Sequence, residues 1–140
     1  MNISSPQRIF IAGGTGFLGY AALQEFLRLG HQVVTIALEN EMDTTSLFDA
    51  RVEVHFGNLF TMTEDALYQL FSQSRCERLV YALGPDDRVI PDGSAWPFFY
   101  HRLVEKACYI IAIAKRAGIK HAVVLNSYFS YFDRQFAGKL

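Results

Sequence analysis

The sequence predicts an α/β fold: a doubly wound parallel sheet of about five strands, in the order 3-2-1-4-5, within a single domain. Three observations carry this. Strand-like and helix-like patterns alternate along all 140 residues, which calls for parallel strands covered by helices on both faces. The apolar run Ile9–Ala12 enters a glycine-rich turn that opens a helix. Hydrophobic residues make up 51% of the chain, enough for a substantial core. Right-handed crossovers with a switch point after strand one give the order, and they put a ligand crevice at the carboxyl ends of strands one and four.

The elements follow in turn. Strand one is Arg8–Ala12. Helix one runs from Phe17 to Leu29, with Leu18, Ala22, Phe26 and Leu29 as its inward stripe, and Gly30 stops it. Strand two is Gln32–Ala37, built on the β-branched run Val33–Ile36. Residues 38–50 are polar and irregular. Strand three is Val52–Phe56. Thr61 and Glu64 have capping-box spacing, and helix two turns Leu67, Leu70 and Phe71 inward. Strand four is Arg78–Leu83, followed by a long loop from Gly84 to Pro97. Helix three spans Phe99–Ala117, with Leu103, Ala107, Ile110, Ile111 and Ala114 buried. Lys115 and Arg116 favour its end, and Gly118 stops it. Strand five is His121–Asn126. The tail Ser127–Leu140 is aromatic, then basic.

Composition excludes several function classes. A formal charge of −1 with no basic run argues against a nucleic-acid surface. Cys76 and Cys108 match no metal or redox spacing and read as free thiols of a reducing cytoplasm. His31, His55, His101 and His121 have no ligand spacing, so no metal is expected. Residues 1–7 lack the pattern of a signal peptide, and no apolar run is long enough to span a bilayer. The expectation is a cytoplasmic protein with no membrane partner.

The residues that carry chemistry are Gly13-Gly14-Thr15-Gly16-Phe17-Leu18-Gly19. A dinucleotide pyrophosphate needs backbone N–H groups close by with no Cβ in the way, and it gains from the positive end of a helix. Gly13 suits the tight turn, Gly16 the approach of the phosphates, and Gly19 close packing of the helix on its strand. The strand before and the helix after are the context this motif requires.

On these residues the chain resembles the extended and atypical branches of the short-chain dehydrogenase/reductase superfamily, including the NAD-dependent epimerase/dehydratase proteins, with a Rossmann fold. Residues 13–19 are nearly identical to that family's G-G-T-G-F-[IL]-G. Gly57-Asn58-Leu59 is similar to its G-D-L beside the adenine. Tyr81-Ala82-Leu83-Gly84 is similar to the H-x-A-[AG] segment along the cofactor. Residues 114–120 are similar to A-[KR]-x-A-G-[VI]-K, and Leu125-Asn126-Ser127 falls where the family has T-S-S. The resemblance implies NAD or NADP as cofactor, held by residues 13–19 with Asn58, Leu59, Ala82, Leu83 and Gly84. It implies Ser127 as the active-site side chain, and a small-molecule substrate such as a nucleotide sugar. The family's catalytic Y-x-x-x-K occurs nowhere in these 140 residues, so its hydride chemistry lacks the acid–base pair. The expectation is that residues 1–140 form the N-terminal cofactor-binding part of a longer enzyme. The alternative is a nucleotide sensor or interaction module without turnover.

Other residues divide less sharply. Asn58 either bonds the adenine or caps the strand end. Ala37 and Leu38 occupy the position after strand two that separates NAD from NADP, and neither discriminates. Glu39, two residues after Ala37, could reach the ribose but reads as a solvated loop residue, and Arg51 could serve a phosphate but reads as a surface residue. The absence of a basic cluster there puts NAD ahead of NADP. Asp86, Asp87, Arg88 and Asp92 read as a solvated loop. Strand five at the sheet edge and the aromatics of Tyr128–Phe136 predict self-association, as in a homodimer.

Overall fold

A computed structural model describes residues 5–46, 48–84 and 95–125. Five parallel strands form one sheet: β1 (Arg8–Ala12), β2 (Gln32–Ala37), β3 (Val52–Phe56), β4 (Arg78–Tyr81) and β5 (His121–Val124). Their order is β3-β2-β1-β4-β5, as the sequence predicts. The helices are α1 (Phe17–Arg28), α2 (Met42–Thr45), α3 (Glu64–Ser74), α4 (Ala95–Tyr100) and α5 (Lys106–Arg116). The central register pairs Ile9 with Val33 on one side of β1 and with Arg78 on the other.

Alternation along the strands sorts the core into two layers. Phe10, Ala12, Val34, Ile36, Leu79 and Tyr81 face α3 and α5. Ile9, Ile11, Val33 and Val80 face α1, where Leu23 and Leu27 meet them. The Phe10 and Phe71 rings pack at 4.9 Å between centroids, and truncating Phe71 to Ala would cost about 3–5 kcal/mol.

Several local expectations need correction. The buried residues of α1 are Gly19, Leu23 and Leu27, whereas Leu18 and Leu29 are exposed and Leu29 caps the helix. Gly19 lies against the Gly13 carbonyl, and that contact sets the phase of the helix one residue away from the expected stripe. Residues 38–50 contain a 3₁₀ turn (Glu39–Glu41) and α2. The N-cap of α3 is Thr63, whose Oγ1 accepts from the Ala66 N–H at 3.3 Å. Thr61 is absorbed by the preceding turn, where its N–H and hydroxyl both donate to the Asn58 carbonyl. The expected helix three is broken by a π-helical turn, His101–Glu105, between α4 and α5. The extra residue turns the segment before α5 out of the expected stripe, so Leu103 is exposed, while Ala107, Ile110 and Ala114 are buried as expected, with Ile113 beside them. Strand β4 ends at Tyr81, and β5 at Val124 with one further ladder bond from Leu125 N–H to the Tyr81 carbonyl.

The two ends of the sheet differ in kind. At the strand starts, polar side chains knit neighbours together: Arg8 reaches Glu53, Gln32 and the Ser74 carbonyl, and Lys120 pairs with Glu77. The strand exits carry the glycine turn and the groove described next. Asp86, Asp87, Arg88, Asp92 and residues 126–140, Ser127 and the tail aromatics among them, lie outside the described residues.

Candidate functional site

The exit of β1 turns at Gly13, which has φ +93°, a value only glycine adopts without strain. The Gly16 N–H closes the turn on the Gly13 carbonyl at 3.0 Å. The glycines of the loop have different reasons to be there. A Cβ on Gly13 would stand 2.9 Å from the Ala82 carbonyl oxygen. One on Gly14 would collide with the Thr35 hydroxyl, and one on Gly19 with the Gly13 carbonyl. A Cβ on Gly16 would meet a single neighbour, the Gly13 oxygen, at 3.3 Å, with open space beyond. Packing therefore requires glycine at 13, 14 and 19, while at 16 it leaves room on the solvent side.

Helix α1 starts on Gly16 with no side-chain cap and no acid in its first turn. Its first N–H groups have no intrahelical acceptors and carry the positive end of the helix dipole. Phe17 is 90% exposed and Leu18 is also exposed, so the loop is bare on its outer side.

A groove of about 300 Å³ runs along the strand exits beside this loop. Gly13 and Thr15 form one wall. Leu38 and Glu41, after β2, and Gly57, Asn58 and Leu59, after β3, line one end. Leu83 and Gly84, after β4, line the other, with Arg102. Of the residues expected at the site, Gly13, Thr15, Asn58, Leu59, Leu83 and Gly84 thus share one groove. Gly14 and Gly19 are buried beneath it, Ala82 supports Gly13, and Gly16, Phe17 and Leu18 stand outside its lining.

Asn58 braces its own turn: its Oδ1 accepts from the Phe60 N–H at 2.9 Å. Arg51 donates to Asp49 and to the Leu27 carbonyl, at the end of the sheet away from the groove. The phenol of Tyr81, the last residue of β4, is buried with no hydrogen-bond partner among the described residues. Burial, with the Cys108 thiol adding to it, pushes its pKa up to about 12. No group of three or more metal-ligating side chains occurs among the described residues.

Sequence reasoning missed two charged residues of the groove, Glu41 and Arg102. The Glu41 carboxylate accepts from the Thr15 hydroxyl at 3.1 Å through each oxygen, and its Oε2 accepts from the Leu38 N–H at 2.9 Å. It is the acid nearest the exit of β2 that faces the groove; Glu39, two residues earlier, is exposed and outside its lining. The available signal was a glutamate three residues after Leu38, the spacing at which an acid reaches back to the N–H that opens a helical turn. Arg102 gave no signal, because the π turn that presents it is invisible to a helical-period reading.

Comparison with known proteins agrees with this architecture. Residues 9–134 match the family model described as the NAD dependent epimerase/dehydratase family. No curated protein matches the chain in sequence. Among solved structures, the Bordetella bronchiseptica enzyme WbmG in complex with NAD and UDP superposes with a TM-score of 0.72 at 21% identity, over 94% of this chain and 41% of that one. UDP-glucose 4-epimerase from Bifidobacterium longum, in complex with NAD+ and UDP, gives 0.66 at 18% identity, over 89% and 38%. UDP-glucose 4-epimerase from Thermotoga maritima, with UDP-glucose, gives 0.62 at 13%, over 84% and 37%. The chain thus spans about two fifths of the length of these structures. The five-stranded order, the glycine turn at the exit of β1 and a family match over residues 9–134 lead to one conclusion: this chain belongs to the NAD-dependent epimerase/dehydratase family.

Proposed function

We propose that this chain binds NAD in the groove at the strand exits, as the N-terminal cofactor-binding part of a longer epimerase, dehydratase or reductase. The observation that carries the reading is the start of α1. Gly16 leaves open space in front of an uncapped helix end, which is the arrangement a pyrophosphate takes on backbone N–H groups. NAD, when bound, supplies the hydride chemistry. The chain's own part is to hold it: the N–H groups of residues 17–19 on the phosphates, Asn58 and Leu59 toward the adenine, and Leu83 and Gly84 toward the nicotinamide ribose. Ser127 is the active-site side chain in this reading.

Glu41 supports NAD over NADP. Its carboxylate is held in the groove just after β2, where a ribose diol has two hydroxyls to donate and a 2′-phosphate would be repelled. The UDP and UDP-glucose complexes of the structural neighbours support a nucleotide sugar as substrate of the whole enzyme. Free Cys76 and Cys108 suit a reducing cytoplasm. No helix among the described residues is long and apolar enough to cross a membrane.

NADH fluorescence titration tests the reading. The wild-type chain should bind NADH, and Gly16→Val should abolish binding while the circular dichroism spectrum stays unchanged. Unchanged affinity in the variant would remove the loop as a phosphate cradle. Glu41→Gln should narrow the preference for NADH over NADPH. The second reading is a nucleotide sensor or interaction module without turnover; Y-x-x-x-K does not occur within these 140 residues. Whether the reading frame continues past Leu140 into that pair separates the two.

A further inference from the structure

We infer that Arg102 is a phosphate-binding residue of the groove, the side-chain cation that complements the backbone donors of α1. The inference rests on the dinucleotide reading above and adds a residue that the glycine loop does not announce.

Two independent features place Arg102. The first is the π-helical turn His101–Glu105 that separates α4 from α5. Such turns sacrifice regular helical hydrogen bonding and recur where a side chain must be re-aimed at a functional site. This one interrupts the element that passes the exit of β4. The second is the contact that pins it there. A Cβ on Gly84 would lie 3.1 Å from Leu103 Cδ2, so the missing side chain at Gly84 lets the turn settle onto the strand exit. With Leu103 seated on Gly84, the neighbouring Arg102 joins Gly84, Leu83 and Gly13 around the groove.

The Arg102 guanidinium lies 4.7 Å from the centroid of the Phe98 ring. Stacking on a ring orders a guanidinium and leaves its positive charge and its in-plane donors for a ligand. Among the described residues, the other charged residue lining the groove is Glu41, whose oxygens already accept from Thr15 and from the Leu38 N–H. The groove is therefore polarised along its length, with the carboxylate at the β2–β3 end and the cation at the β4 end. A phosphate belongs toward the cation, where a fork of N–H donors gives more than a helix terminus alone.

Phosphate could reach Arg102 from the cofactor or from a nucleoside diphosphate substrate, and calorimetry can tell these apart. The ligands are ADP-ribose, adenosine and UDP, titrated into the wild-type chain, Arg102→Ala and Arg102→Lys at low and high salt. Arg102→Ala should weaken ADP-ribose roughly tenfold to a hundredfold at low salt. Adenosine should be unaffected, the difference should shrink at high salt, and Arg102→Lys should recover part of it. A loss confined to UDP assigns Arg102 to substrate phosphate instead and keeps the inference. If ADP-ribose and UDP bind Arg102→Ala as they bind the wild type, or if adenosine weakens equally, Arg102 does not bind phosphate. A wild-type chain that binds none of the three ligands overturns the dinucleotide reading together with this one.

Discussion

Thr35 and Gly14 compete for one volume. The Thr35 hydroxyl donates to the Ile11 carbonyl at 2.7 Å, fully buried, and it stands where a Cβ on Gly14 would have to go. The side chain of β2 thus supports the floor of the glycine loop from below. Gly14→Ala should destabilise the chain by about 2 kcal/mol through overpacking. Adding Thr35→Ala should return part of that loss, because the two changes share a site. Urea unfolding of the two single variants and the double variant measures this coupling, and strict additivity would show that the two residues do not interact.

Tyr81 offers a second test of stability. Its buried hydroxyl has no partner among the described residues, so Tyr81→Phe should raise stability by roughly 1 kcal/mol at neutral pH. The folded phenol is held up to about 12, above its ordinary value near 10. A group raised on folding contributes stability that is complete below the unfolded value and lost as pH climbs through the folded one. Wild type should therefore weaken between about pH 10 and 12 in a way that Tyr81→Phe does not. Unfolding midpoints across that range decide it, and parallel alkaline limbs would count against a shifted Tyr81.

The 140-residue chain should bind NAD and show no dehydrogenase or epimerase turnover, because no Y-x-x-x-K pair is present to move the hydroxyl proton. Assays with UDP-sugars at high protein concentration check this. Turnover at rates typical of enzymes would reveal a different proton-transfer group.

Among the described residues, strand β5 pairs only with β4, and all of its residues are exposed, Val123 by 59% and Val124 by 48%. An apolar edge of this kind invites pairing, so the isolated chain should associate through β5. Sedimentation equilibrium of the full chain and of a truncation ending at Asn126 tests this. A strictly monomeric full chain at high concentration would reject it.

The fold was legible because its strands are short apolar runs separated by turn residues, and because the glycine loop marks where the strand order reverses. The misreadings share a cause: a specific contact, near or distant in sequence, decided what spacing alone left open. The phase of α1 follows from Gly19 resting on Gly13, a detail that helical spacing alone leaves open. Thr61 has capping spacing, but the Asn58 turn uses it first, and Thr63 caps instead. The break at His101–Glu105 accompanies the approach of Leu103 to Gly84, which only tertiary packing reveals. Glu41 reaches the groove because a 3₁₀ turn brings it back to Leu38 and Thr15, and Glu39 was the nearer acid by count but not by direction.

The knitting of the strand starts by Arg8, Glu53, Glu77 and Lys120 has a practical corollary. The groove opens at the other end of strands that are four to six residues long, roughly 13–20 Å away at the usual rise per residue. A fluorophore, an affinity handle or a bead linkage attached along the strand-start rim would leave the cofactor's approach unobstructed. Exposed surface ion pairs contribute little to stability, so one of them can be given up for a cysteine there once the exposed Cys108 is replaced by serine. The molecule can then be immobilised in a known orientation, with its ligand-facing edge toward the solvent.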